Sequence, residues 1–253
     1  MAKTKQIESL PHNGQVHEPP EKLSPVVFIL VHHYGGNNRT LYRHIKLVNS
    51  LGFTAVSFEL GGAHNQELFL PPISKRKQWG MRHIWADKIE DILKLVSGKK
   101  VIFTLSNPSF SVLEAVYRIK GKDIKAIVCD GGPFFDIYKC YWNLFTHAFK
   151  YNIVMRSLQL VLGAIYWNPL GYKAHAKKYI NSFDQKIPLL SIRAENDILV
   201  PVESIDKCLA TYNPDMITRV LVKDTGHLMG IKNEKEFYRK SVVSFLHKSL
   251  LLK

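Results

Sequence analysis

Nearly uninterrupted apolar runs recur along the chain at residues 26–31 (VVFILV), 54–58 (TAVSF), 101–105 (VIFTL), 126–129 (AIVC), 189–192 (LLSI) and 219–222 (RVLV). A strand with one wet face alternates apolar and polar residues, whereas a strand buried on both faces is apolar throughout. These runs therefore predict strands of a parallel sheet covered on both sides. Between them, apolar residues fall three or four apart. Leu41, Ile45, Val48 and Leu51 form one such stripe, and Ile89, Ile92, Leu93 and Val96 another. Residues 111–119, 205–212 and 234–252 carry similar helical patterns. The alternation predicts an α/β architecture with a mostly parallel sheet and helices on both faces.

Two segments break the rhythm. Residues 1–25 mix Lys, Glu, His, Asn, Gly and Pro with little apolar sequence, and are expected to form a mobile or loosely packed arm. They lack the apolar centre of a secretory signal. Residues 134–183 are long, aromatic and basic, and lie between two predicted strands. They are expected to form a helical lid over the C-terminal edge of the sheet, where ligands of such folds bind. The predicted core is then 26–133 together with 184–253. Within the lid, Tyr138, Trp142, Phe145 and Trp167 are the candidates for an apolar substrate pocket, although most such aromatics serve only to pack a lid onto its sheet.

A chain of 253 residues that is 46% hydrophobic and 22% charged suits one globular domain with an insertion. The cysteines Cys129, Cys140 and Cys208 have no metal-like spacing, and reduced thiols in the cytoplasm are the simplest expectation. The longest apolar run of the insertion, 157–167, is too short to cross a bilayer. The net charge of +14 is spread over many short basic clusters. With no nucleic-acid-binding module in sight, a nucleic-acid partner is not expected. Peripheral attraction to an anionic membrane surface fits the charge better. Oligomeric state is left open by the sequence.

Three segments carry chemistry, each where a predicted strand ends: Asn107-Pro108-Ser109-Phe110-Ser111, Glu195-Asn196-Asp197 running on to Pro201, and Asp224-Thr225-Gly226-His227. The order is Ser, then Asp, then His. A serine hydroxyl is a weak nucleophile near neutral pH. It becomes a strong one when a histidine takes its proton and a carboxylate orients that histidine. Under the small-x-Ser-x-small rule of the family resemblance given below, Ser109 is the first candidate, with the small Asn107 and Ser111 two residues away. Ser106 and Ser111 are rivals that fit that rule less well. Asp197 is the candidate acid, with Asp130 as its rival at the end of the preceding strand. His227 follows Gly226, which gives the loop its freedom.

In the order and content of these segments the chain resembles the α/β-hydrolases of the serine esterase, lipase and serine aminopeptidase type, over most of its length from Val26 onward. The resemblance implies an acyl-enzyme mechanism with catalytic Ser109, Asp197 and His227, without metal or organic cofactor. It implies an oxyanion hole from backbone N–H groups of Phe110, just after the serine, and of Tyr34, in the loop His32-His33-Tyr34-Gly35-Gly36. The chain departs from the family pattern in two places: neither glycine of Gly-x-Ser-x-Gly is present, and His33 stands where the loop usually has glycine. The expected substrate is a small-molecule carboxylic ester, or a thioester, with an apolar portion. The alternatives are amide or peptide hydrolysis on the same residues, or a hydrolase-like protein that has lost catalysis and binds a ligand.

Overall fold

The computed structural model describes residues 10–61, 72–182 and 186–249. Phe183 at the end of the expected lid and the end of the C-terminal helical pattern (250–252) lie outside the described residues. Seven strands, among the described residues, form one sheet: β1 (Gln15–His17), β2 (Val27–Val31), β3 (Thr54–Ser57), β4 (Lys100–Leu105), β5 (Ile124–Asp130), β6 (Leu189–Ala194) and β7 (Ile217–Val222). Their spatial order is β1-β3-β2-β4-β5-β6-β7. All neighbouring pairs run parallel except β1, which pairs antiparallel with β3.

The continuous apolar runs divide between two cores. Ile29, Val31, Ile102, Ile127 and Cys129 face one side, where α2 (Met81–Leu95) and α3 (Ser109–Arg118) pack. Phe28, Leu30, Val101, Phe103, Ala126 and Val128 face the other, under α1 (Tyr42–Ser50) and α9 (Lys235–Lys248). Successive residues point to opposite faces, so only a run apolar at every position can satisfy both. This is the expected α/β sheet with helices on both faces.

Residues 1–9 of the expected N-terminal arm lie outside the described residues, and the part from residue 10 onward is not simply loose. Residues 15–17 add an edge strand. His17 Nε2 lies 2.9 Å from Ser57 Oγ, Asn49 donates to the His17 carbonyl at 2.9 Å, and Thr54 donates to Glu18 at 2.6 Å. Backbone pairing and polar side chains hold this segment, which is why its low apolar content misled the sequence reading.

Residues 134–182 form helices between β5 and β6: α4 (Ile137–Asn143), continued by a wider turn through Leu144–Ala148, then α5 (Ile153–Trp167) and α6 (Tyr172–Ser182). Trp167, at the end of α5, packs edge-on against Trp85 of α2 at 4.6 Å and against Tyr34 at 5.5 Å. Arg82 of α2 donates to the Leu170 carbonyl at 3.1 Å. Helices α7 (Val202–Cys208) and α8 (Gly230–Asn233) complete the chain order.

A buried ionic cluster joins α2 to α3. Arg118 donates to Asp87 and to Glu114, both at 2.6 Å, and Glu114 also meets His83 Nδ1 at 2.7 Å. Removing one partner from such a cluster strands the others as unpaired buried charge, which costs about 3–5 kcal/mol. Arg118→Met, close in length but uncharged, is expected to lose about that much stability in urea unfolding. A loss below about 1 kcal/mol would show that the carboxylates find other partners.

Candidate active site

The strand β4 ends at Leu105 and α3 begins at Ser109, so the chain must turn from strand to helix within Ser106-Asn107-Pro108. It does so by placing Ser106 at φ +58°, the left-handed region that non-glycine residues seldom occupy. Two backbone hydrogen bonds hold it there: Ser106 N–H to the Asp130 carbonyl at 2.7 Å, and Ser109 N–H to the Ser106 carbonyl at 3.1 Å. Pro108, with φ −58°, stands at the helix N-cap, where its lack of an N–H costs nothing.

This turn aims Ser106 at His227. Ser106 Oγ lies 2.9 Å from His227 Nε2, and His227 Nδ1 lies 2.6 Å from Asp197 Oδ2. An ionised carboxylate only accepts, so Nδ1 carries the proton and Nε2 presents its lone pair to the Ser106 hydroxyl. The other oxygen of Asp197 accepts from the Leu199 and Val200 N–H groups at 2.9 and 2.8 Å, which fixes the plane of the carboxylate. Asp197 lies in the loop after β6, and His227 in the loop after β7. The two loops are tied by Asn196 N–H to the Thr225 carbonyl at 2.9 Å and Glu195 N–H to the Val222 carbonyl at 3.0 Å.

Ser109, the first candidate for the nucleophile, is not in this constellation. It is the first residue of α3 and fully buried, and its hydroxyl donates at 3.4 Å to Thr104 Oγ1. Ser111 is also buried within α3. The rule of small residues on either side points to a serine that does not meet His227, because the helix has already begun by Ser109. Ser106 has Thr104 and Pro108 at those positions, and both are accommodated. Close approach is made possible instead by Gly132, just after β5. A Cβ added there would press into the Ser106 carbonyl oxygen and lie 2.8 Å from Ser109 Oγ.

Phe110 is likewise displaced from its expected role. Its N–H donates to the Asn107 carbonyl at 3.2 Å, and its ring stacks on Tyr172 at 3.9 Å. The residue following Ser106 is Asn107. Its side chain donates to the Tyr141 hydroxyl at 3.0 Å, binding the turn to α4. Tyr34 does line the same cavity as Ser106 and Asn107. Its loop is braced by His32, whose Nε2 accepts from Leu60 N–H at 3.0 Å, leaving Nδ1–H to donate to the His33 carbonyl at 2.8 Å.

That cavity measures about 530 Å³. Its apolar lining includes Phe134, Tyr141, Leu144, Leu199, Val200 and Leu228. None of the four aromatic candidates from the insertion lines it. Tyr138 is half exposed, Trp142 lies under the Arg156 guanidinium, Phe145 packs with Tyr141 and Tyr151, and Trp167 backs Tyr34 from behind. Helical spacing gave no sign of which side of α4 or α5 faces the cavity.

His33 and His44 also reach the cavity. Burial pulls the His33 pKa down to about 4, helped by the neighbouring His32 and His227, and that of His44 down to about 3. Both are therefore neutral near physiological pH. Among the described residues His44 has no hydrogen-bond partner on either ring nitrogen, and its ring meets Phe103 edge-on at 5.1 Å. Burial also pushes the Cys140 thiol up to about 12, and those of Cys129 and Cys208 higher still, so none supplies a thiolate.

The rival acid Asp130 is fully buried and accepts from the Tyr238 hydroxyl at 2.7 Å. Burial pushes its pKa up to about 6, against the opposing pull of Tyr238 and His227. Unfolded, an aspartate titrates near ~3.9. Ionising Asp130 thus costs the folded state: its contribution to stability is complete below about pH 4 and is lost as the pH rises through about 6. Asp130→Asn keeps an acceptor for Tyr238. It should gain on the wild type by up to about 3 kcal/mol between about pH 4 and about pH 8 in urea unfolding. A constant difference across that range would remove the buried charge from the account. A separate substitution tests the turn itself. Gly132→Ala should destabilise by about 1–3 kcal/mol through overpacking, and a variant as stable as the wild type would show that Gly132 does not clamp Ser106.

No protein-family model matches the chain. No curated protein sequence matches it either. Solved structures do. A carboxylesterase of the ammonia-oxidizing thaumarchaeon Nitrososphaera gargenis superposes with a TM-score of 0.65 at 16% identity, covering 94% of this chain and 95% of that one. A bromoperoxidase from Bacillus anthracis gives 0.63 at 14% identity over 92% and 94% of the two chains. A monoacylglycerol lipase from Paleococcus ferrophilus gives 0.59 at 13% identity over 93% and 98%. The sheet order, the strand-to-helix turn and these superpositions agree: the chain has the α/β-hydrolase fold.

Proposed function

We propose that the protein is a serine hydrolase that cleaves a carboxylic ester or thioester with an apolar portion, and that Ser106 is its nucleophile. The observation that carries this reading is the hydrogen-bonded chain from Ser106 through His227 to Asp197 at the wall of a largely apolar cavity. The carboxylesterase and the lipase among the structures of the same fold support ester chemistry in particular.

In the proposed reaction Ser106 Oγ attacks the acyl carbon while its proton passes to His227 Nε2. Asp197 stabilises the imidazolium so formed and holds its orientation. The carbonyl oxygen takes on negative charge, and the N–H groups of Asn107 and Tyr34 are the proposed donors to it. A single such donor contributes about 3–4 kcal/mol to the transition state. The tetrahedral intermediate collapses, His227 gives its proton to the leaving alcohol or thiol, and the acyl group stays on Ser106. Water then attacks the acyl carbon with His227 again as base, and the carboxylic acid leaves. Phe134, Tyr141 and Leu144 are proposed to receive the apolar portion, each buried methylene contributing about 0.8 kcal/mol.

A fluorophosphonate probe followed by mapping of the modified residue tests the proposal, since only an activated serine reacts. Labelling is expected at Ser106. Ser106→Ala should abolish it and lower ester turnover roughly 10⁴–10⁶-fold, while Ser109→Ala should keep both. Labelling at Ser109, or turnover that survives Ser106→Ala, would overturn the assignment. A folded protein that neither labels nor turns over any ester or thioester would leave the ligand-binding reading in its place.

A further inference from the structure

The insertion turns an unusual surface outward. Along α5, Val154, Leu158, Val161, Leu162 and Ile165 are 71%, 50%, 59%, 45% and 54% exposed. Their spacing of three and four residues puts them on one face of the helix. Leu170, just beyond, is 79% exposed, and Tyr138 on α4 is half exposed. Soluble surfaces carry scattered apolar side chains, but a contiguous stripe of this kind marks an interaction site. Arg156 is the lone charge of α5, and it is drawn aside to the Tyr151 carbonyl at 2.6 Å and to the Trp142 ring.

Charge decides what covers this face. Residues 134–182 hold six basic side chains, Lys139, Lys150, Arg156, Lys173, Lys177 and Lys178, against the single acid Asp136. Lys139 and Lys173 share a shallow surface groove with Tyr138 and Leu170. The whole chain carries +14. A second copy docked face to face would bring like charges together. An anionic lipid surface offers both apolar depth and the opposite charge. Among the described residues no helix is long and apolar enough to cross a membrane. The 15 residues of α5 span only about 22 Å at the helical rise, short of a bilayer core of about 30 Å. Trp79, 42% exposed, donates its indole N–H to the Ile165 carbonyl at 2.6 Å and ties the end of α5 to the core.

We propose that the exposed apolar face of α5 docks the protein on anionic membrane surfaces, with the helix lying in the plane of the interface. The proposal stands independently of the chemistry at Ser106.

Co-sedimentation of the full-length protein with vesicles tests it, using phosphatidylcholine alone and phosphatidylcholine mixed with phosphatidylserine. The wild type should sediment with the mixed vesicles, much less with the neutral ones, and progressively less as salt rises. The triple variant Leu158→Gln, Val161→Gln, Ile165→Gln should bind more than about tenfold more weakly, with unchanged circular dichroism and thermal unfolding because those side chains are exposed. Lys139→Gln with Lys173→Gln should weaken binding to the mixed vesicles alone. Equal binding to both vesicle types, full binding by the triple variant, or no binding by the wild type would each overturn the proposal. A wild-type dimer that becomes monomeric in the triple variant, with no vesicle binding, would assign the face to a second copy instead.

Discussion

The site depends on one backbone conformation, that of Ser106 at φ +58°. A side-chain-bearing residue pays about 1–2 kcal/mol to adopt it, and the surroundings hold it there. The Asp130 carbonyl takes the Ser106 N–H, so the turn is registered on the end of β5. Gly132 leaves room for the Ser106 carbonyl where any side chain would intrude. The strand thus stops one residue before the serine and the helix starts three residues after it. The hydroxyl is left above the sheet edge, toward the loops that follow β6 and β7.

Those loops sort two carboxylates that lie close to one imidazole. Asp197 has one oxygen committed to the amides of Leu199 and Val200, which leaves the other aimed at His227 Nδ1. Asp130 is committed to the Tyr238 hydroxyl in a fully buried setting, where burial favours its neutral form. The two acids therefore differ in their partners: Asp197 meets the imidazole directly, and Asp130 meets a phenol. A carboxylate held by two backbone amides is fixed in its plane, which is what an orienting acid needs.

The sheet, its helices and the acid and histidine segments were legible because each rests on a local pattern: continuous apolarity, helical spacing, and turn residues after a strand. The serine was harder. The apolar run ends at Leu105, and Pro108 suits the first turn of a helix. Together these two signals place the strand-to-helix turn at Ser106, ahead of Ser109. Small flanking residues favour Ser109 instead, yet the room beside Ser106 comes from Gly132, which is 26 residues further along the chain. Likewise, nothing local marks residues 15–17 as a strand, because an edge strand held by backbone pairing and by Ser57, Asn49 and Thr54 needs little apolar sequence.

The insertion explains why its aromatic content could be read while its roles could not. Its aromatic and aliphatic residues serve three environments. Tyr141 and Leu144 face the cavity, Trp167 packs against Trp85 and Tyr34, and the aliphatic face of α5 lies open. Helical spacing is the same for all three, and the rotation of each helix against the sheet tells them apart. The structure also joins the insertion to the turn, since Asn107 donates its side-chain amide to the Tyr141 hydroxyl. Asn107 directly follows Ser106, so the position of α4 and the geometry of the strand-to-helix turn are mechanically linked.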